Sequence, residues 1–217
     1  MEPSLTATNT TQAPAFTQPD SPRGRLLVQA AHLFREKGYE RTTVRDLAAA
    51  VGIQSGSIFH HFRSKEEILQ AVMTEAILFN TQRIRQRLAA VGTVEEKLRA
   101  LVACELKSVN GRTGEAMAVL VYEWRSLSAE SQARILKLRD VYEGLWMEVL
   151  QQAADQGMIS ADPFVVRRFL TGALSWTTTW YRREGGMTLE DLADQAMAML
   201  QLSSSPEDGQ ASGSPKH

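Results

Sequence analysis

The 217 residues are 43% hydrophobic, 23% charged and 7% aromatic, enough apolar mass for a sizeable core and unlike a disordered or polybasic chain. A formal net charge of −1 still allows a local basic patch, so charge has to be read by region. The single cysteine, Cys104, excludes an intrachain disulfide; with no basic, apolar leader at the N-terminus and no run of ~18 apolar residues, the expected location is the cytoplasm, with no membrane association.

Residues 1–21 are rich in Thr, Pro, Gln and Ala, and residues 203–217 in Ser, Gly and Pro; neither segment can bury enough apolar surface to offset its ordering entropy, so both are expected to be disordered tails. Between them helical periodicity runs throughout, and the expected fold is all-α. Ser21-Pro22 predicts an N-cap with proline at the first helical position, and Leu27, Ala30, Ala31 and Phe34 share a stripe before Gly38. Thr43 to Asp46 reads as a capping box that opens a short helix ending at Val51-Gly52. A third short helix should reach about Phe62, and a second capping box over Ser64 to Glu67 starts a long helix with Leu69, Val72, Met73, Ala76 and Ile77 on one face.

Thr93 to Glu96 predicts the start of a fifth helix, and Gly111 with Gly114 a loop after it. "EAMAVLVYEW" is apolar nearly all round, which predicts a helix enclosed on most sides. A long amphipathic helix then runs from Ser128 to Gly157, another from Asp162-Pro163 to Gly185-Gly186, and a last one from Thr188, where Leu189, Leu192, Ala193, Ala196 and Leu200 share a face. The total is nine helices, with short ones near the start.

Two short helices joined at Val51-Gly52-Ile53 have the spacing of a helix-turn-helix, in which glycine lets the chain reverse and small residues permit close approach to a groove. The stretch "AAHLFREKGYERTTVRDLAAAVGIQSGSIFHHFRSKEEIL" closely resembles the N-terminal domain of the TetR family of transcriptional regulators over residues 23–69. The resemblance implies a helix-turn-helix head over residues 22–68, a ligand-binding and dimerisation domain over 69–202, a homodimer, and operator DNA as partner. Several residues suit that role chemically. Thr43 offers a hydroxyl and helix-start amides to phosphate, and Arg45 can span guanine O6 and N7. On the second helix Ser55, Gly56, Ser57 and His60 are small or polar enough to sit against base edges, and Gln54 stands where the family usually has a small cap, adding a possible base contact. His61 and Lys65 match phosphate-contacting positions. Phe59 replaces the usual tyrosine and so lacks a phosphate-bonding hydroxyl. Between residues 22 and 70 eight basic residues face five acids, an excess of three, so binding should be salt-sensitive.

In that family the second half senses a small molecule. "YEWRSLSAESQARILKLRDVYEGLWMEVLQQAADQGMI" and "GALSWTTTWYRREGGMTLEDLADQ" resemble the subgroup that responds to acyl-CoA thioesters, including regulators of fatty-acid and sterol-ring breakdown, although Ser175 stands where that subgroup often has asparagine. The implied protein is a repressor released by an acyl-CoA-type effector. No cofactor is required, and the alternative is a repressor of an efflux or detoxification operon that senses another hydrophobic compound. The candidate pocket comprises Leu101, Met117, Leu120, Val121, Trp124, Arg125, Tyr142, Trp146 and Trp176, with Arg125, Arg139, Arg182 or Arg183 available to CoA phosphates. The candidate dimer interface comprises Phe169, Gly172, Ala173 and Trp180 with Leu192, Ala196 and Leu200.

Plainer readings compete with these. The aromatics and methionines of the second half also suit core packing, the arginines also suit surface ion pairs, and helix spacing puts Phe34 and Phe62 inside the head. His60-His61 is not expected to hold metal, because adjacent helical residues point about 100° apart. No nucleophile, base and acid constellation or phosphate loop supports an enzyme.

Overall fold

The computed structural model describes Thr17 and residues 20–201. Among them are nine α-helices and no strand: α1 Pro22–Lys37, α2 Val44–Val51, α3 Ser55–Ile58, α4 Lys65–Ala89, α5 Val94–Asn110, α6 Gly114–Tyr122, α7 Ala129–Asp155, α8 Pro163–Trp180 and α9 Leu189–Gln201, with a 3-10 turn over Trp124–Ser126. Apart from Thr17, Asp20 and Ser21, the two terminal segments expected to be disordered lie outside the described residues. Thr17 donates from its backbone and hydroxyl to the Glu75 carboxylate on α4.

Most helix starts follow the local chemistry read from the sequence. Ser21 accepts from the Gly24 amide, Asp162 accepts from Phe164 and Val165, and complete capping boxes form at Thr43 with Asp46 and at Thr93 with Glu96. At Ser64 the box is redistributed. Its hydroxyl accepts from the Glu67 amide, but the Glu67 carboxylate accepts from the amide of Arg63, one residue before the cap. Gly52 takes φ 72°, the left-handed conformation that reverses the chain between α2 and α3 and that a Cβ would strain.

Three helices depart from expectation. The α-helical part of α3 stops at Ile58, and the chain reaches Phe62 through turns closed by Phe59, His60 and His61 amides three residues back. α8 stops at Trp180, short of Gly185. Thr177, Thr178 and Thr179 each turn a hydroxyl onto the carbonyl three residues earlier, a competition with the helix ladder, and Tyr181 leaves in an extended conformation. α6 is not enclosed: only Val119 and Leu120 are buried, while Val121 and Tyr122 are exposed, because much of its apolar surface borders open space.

The head is α1 to α3 packed on the start of α4. Leu26, Phe34, Leu47, Ile58, Phe62 and Leu69 close its core, with the Phe34 and Tyr39 rings 5.4 Å apart. Lys65, first residue of α4, is built into this unit. Its ammonium donates to the carbonyls of Tyr39 at 2.8 Å and Thr42 at 3.0 Å and lies over the Tyr39 ring. From there α4, 25 residues or about 38 Å long, runs on into the second half, where α5 packs against α4, α7, α8 and α9. Glu66 ties the same junction to α7 by accepting from the Ser128 amide and the Ser131 hydroxyl, and Ser128, through its side chain and then its backbone, with Ser131 after it, holds the carboxyl below the usual glutamate range.

Candidate nucleic-acid interface and ligand cavity

The helix-turn-helix presents an open polar face. Thr43, Arg45, Gln54, Gly56, Phe59, His60 and His61 are exposed, and Ser55 and Ser57 are half-buried beside them. Arg45 makes no side-chain hydrogen bond or ion pair among the described residues, so its fork is free to engage an acceptor. Thr43 is more committed. Its hydroxyl accepts from the Asp46 amide and donates to the Asp46 carboxylate, whose charge, stabilised first by the Thr43 amide, stays ionised below the usual aspartate range. With its amide and hydroxyl protons both given to Asp46, what Thr43 offers a phosphate is limited by its cap. With two of three N–H groups of Lys65 given to carbonyls, one remains for an outside acceptor. Ile53 and Phe59 add exposed apolar surface to the same face.

A cavity of about 470 Å³ opens in the second half, within the range of small-molecule sites. Met117, Leu120, Val121, Trp124 and Tyr142 line it, as expected from sequence. Four other expected residues do not. Leu101 and Trp146 are fully buried in the core, because α5 and α7 turn those positions toward neighbouring helices. Arg125 lies exposed on the 3-10 turn, and Trp176 points outward from α8, 67% exposed, while Thr171, Ser175 and Thr178 form that helix's cavity side. Of the arginines considered for phosphate, Arg139 lines the cavity and lies over Trp124 at 6.0 Å. Arg182 and Arg183 donate to nearby carbonyls, those of Tyr181 and Asn110.

A buried charged cluster on the wall escaped the sequence reading. Arg167, 1% exposed, forks onto Glu143 with Nε at 3.0 Å and Nη2 at 2.9 Å, and Nη2 lies 3.6 Å from Glu105. The Tyr142 hydroxyl donates to Glu105 at 2.7 Å. Burial and the neighbouring Glu105 charge push the Tyr142 phenol well above its usual range. The guanidinium carbon stacks 4.2 Å from the Trp146 ring centre. A signal was available: Arg167, Leu170, Leu174 and Thr177 follow one helical stripe, so a charge on an otherwise inward face implied a buried partner.

The exposed face of α8 is apolar. Phe164, Phe169, Trp176 and Trp180 stand out from it, with Phe169 76% exposed, and Gly172 and Ala173 lie between them without bulk. Of the α9 residues assigned to the same surface, Leu192 is corrected. Leu192 is buried with Ala193 and Met197 against the protomer's own core, and Ala196 and Leu200 pack partly against it, because α9 lays that face on α5. The large apolar side chain that α9 exposes among the described residues is Met199.

The head and the cavity meet through α6. Met117, Leu120 and Val121 face the cavity, Glu115 lies 3.0 Å from His32 on α1, and Glu123, just past the helix, accepts from the Tyr39 amide at 3.1 Å and from Ser126.

Comparison with known proteins agrees with this division. The family described as "Bacterial regulatory proteins, tetR family" matches residues 26–72, and "Tetracyclin repressor-like, C-terminal domain" matches residues 91–202. The transcriptional repressor KstR2 of Mycobacterium tuberculosis is 30% identical over 188 residues, 84% of this chain and 92% of its own length. Its structure, that of a ketosteroid transcriptional regulator, superposes with a TM-score of 0.75 over 86% of this chain and 96% of that one. A structure described as superantigen PfiT is 64% identical, covering 84% of this chain and 97% of that one with a TM-score of 0.72. AibR, solved with isovaleryl coenzyme A and operator DNA, is 27% identical over 82% of this chain and 96% of its own, with a TM-score of 0.73. With both halves matched, a helix-turn-helix in front and a cavity-bearing helical domain behind, the chain belongs to the TetR family of bacterial transcriptional regulators and is not an enzyme.

Proposed function

We propose that this protein is a homodimeric repressor that binds operator DNA through the exposed residues of α2 and α3 and is released when an acyl-CoA-type effector enters the cavity, controlling genes of lipid catabolism in the cytoplasm, on the nucleoid. The observation that carries the reading is α6, a nine-residue helix whose residues line the cavity while Glu115 within it and Glu123 just past its end are bonded to the head. An occupant that displaces Met117 or Leu120 strains the bonds to His32 and Tyr39, and so shifts the head toward a spacing with different DNA affinity. The shift can be no larger than the effector's preference for one arrangement over the other.

Pairing along α8 supports the dimer. Two copies that bury Phe169, Trp176 and Trp180 around Gly172 and Ala173 remove a large apolar patch from water, which a monomer would leave exposed. The acyl-CoA assignment is supported by the mostly apolar cavity, by Arg139 on its lining as a cation for an anionic group, and by the isovaleryl coenzyme A bound to AibR. Fluorescence anisotropy of the protein on its own upstream DNA, at two salt concentrations and with or without a long-chain acyl-CoA, tests both halves. Salt-sensitive binding that the thioester abolishes is the expected result; binding indifferent to the thioester removes the effector and keeps the regulator.

A further inference from the structure

An alkyl chain alone is a poor match for one wall of the cavity. Ile77, Val109, Met117, Ala118 and Leu120 suit hydrocarbon, but Glu105, Tyr142, Glu143 and Arg167 also line it and meet in one cluster. The hydrogen-bond accounting of that cluster is incomplete. Arg167 gives Nε and Nη2 to Glu143, and the Glu105 carboxylate takes the Tyr142 proton, but Nη1 is buried with no hydrogen-bond partner among the described residues. A buried guanidinium nitrogen without an acceptor costs free energy that a ligand oxygen can recover.

The sign of the charge narrows the ligand. Two carboxylates already face the one guanidinium, so a further carboxylate would bring a third negative group into a low-dielectric wall. An uncharged oxygen meets no such repulsion. A ketone accepts from Nη1; a hydroxyl does so and can also donate to the Glu143 carboxylate, which remains partly exposed. We infer that the wall formed by Arg167, Glu105, Glu143 and Tyr142 is a specificity subsite for an uncharged oxygen function, keto or hydroxyl, carried on the apolar part of the effector away from its thioester. This rests on the acyl-CoA reading for the thioester end and on the cluster alone for the oxygen.

The test compares three medium-chain acyl-CoAs of equal length by calorimetry on the full-length protein: one saturated, one with a ketone near the free end, one ending in a carboxylate. The corresponding methyl esters form a second series. The ketone is expected to bind about tenfold or more tighter than the saturated chain, the effect of one hydrogen bond to a charged group, with the carboxylate weaker than the ketone. Arg167→Lys, with folding checked by thermal melting, should bring ketone and saturated chain to similar affinity; if that variant does not fold, the ligand series on the wild-type protein decides. Thioesters that bind without preference, or most tightly as the carboxylate, overturn the subsite and leave the acyl-CoA reading standing. A ketone preference seen only among the esters, with no thioester bound, keeps the subsite and ends the acyl-CoA reading. Failure of both series to bind overturns both.

Discussion

The head and the sensor half use their functional residues in opposite ways. In the head they are exposed, close in sequence and carried by elements whose geometry is set locally, by the Thr43–Asp46 capping box and the left-handed Gly52. In the sensor half they are drawn from α4, α5, α6, α7 and α8, and two of the charged ones, Glu105 and Arg167, are almost fully buried. A surface that reads a long charged polymer needs reach and free donors, and Arg45 keeps its guanidinium unengaged among the described residues. A site that encloses a small molecule needs desolvation, so Arg167 is held by two acids and an indole ring. Substitutions in the two halves should therefore fail differently: in the head they weaken DNA binding at little cost to the fold, and in the sensor half they cost stability before they change recognition.

The widest separation is expected at Arg167→Met. Leaving Glu105 buried and Glu143 half-buried without their counter-charge should destabilise the protein by about 3–5 kcal/mol, visible as a lower midpoint in chemical denaturation. A loss below about 1 kcal/mol would mean that the cluster is not a desolvated ion pair. Next comes Trp180→Arg on the exposed stripe of α8. It should leave the monomer folded but weaken a dimer by about 2 kcal/mol or more, and sedimentation velocity showing an intact dimer would move the interface elsewhere.

Arg45→Ala sharpens the contrast from the other side. It should cost about 1–3 kcal/mol on the cognate operator and less on random duplex, with an unchanged melting temperature; equal losses on both would remove Arg45 from base reading. Lys65→Met stands between the two classes, because its ammonium holds the carbonyls of Tyr39 and Thr42. It should lower the melting temperature and also reduce the slope of binding against salt by about one, and an unchanged slope would restrict Lys65 to holding the head together. The smallest expected effect is on acid stability. Ser128 holds the Glu66 carboxyl low, and Lys107 does so for Glu190, so both folded values lie below the ordinary 4.5. Their stabilisation is complete above that value and is lost as pH falls through the lower folded ones, so the melting temperature should decline on acidification through that window. A melting temperature flat across it would mean that these bonds contribute nothing in solution.

How far the sequence could be read followed the range of the interactions. Caps at Ser21, Thr43, Thr93, Ser128 and Asp162 each involve residues two or three positions apart, and each was visible in the chain and present in the fold. The same locality made α2, its turn and the exposed residues around α3 legible, since a helix start and a reversing glycine need no distant partner. Facing was harder. Periodicity put Leu192, Ala196 and Leu200 on one stripe of α9 and Phe169, Gly172, Ala173, Trp176 and Trp180 on one stripe of α8, yet the first lies on α5 and the second faces outward. An apolar stripe records that a face is to be buried, not against what.

The sequence by itself determined the all-α order of elements, their caps and the DNA-reading motif, because helix propensity, capping and turn chemistry act over a few residues. Only the tertiary structure decided that Leu101 and Trp146 belong to the core, that Trp176 turns away from the cavity, and that Glu105, Tyr142, Glu143 and Arg167 form one wall of it. Glu105 lies 62 residues before Arg167, and their charges can be buried together only because α5, α7 and α8 pack side by side. Long-range packing sets that proximity, and no local pattern in the chain encodes it.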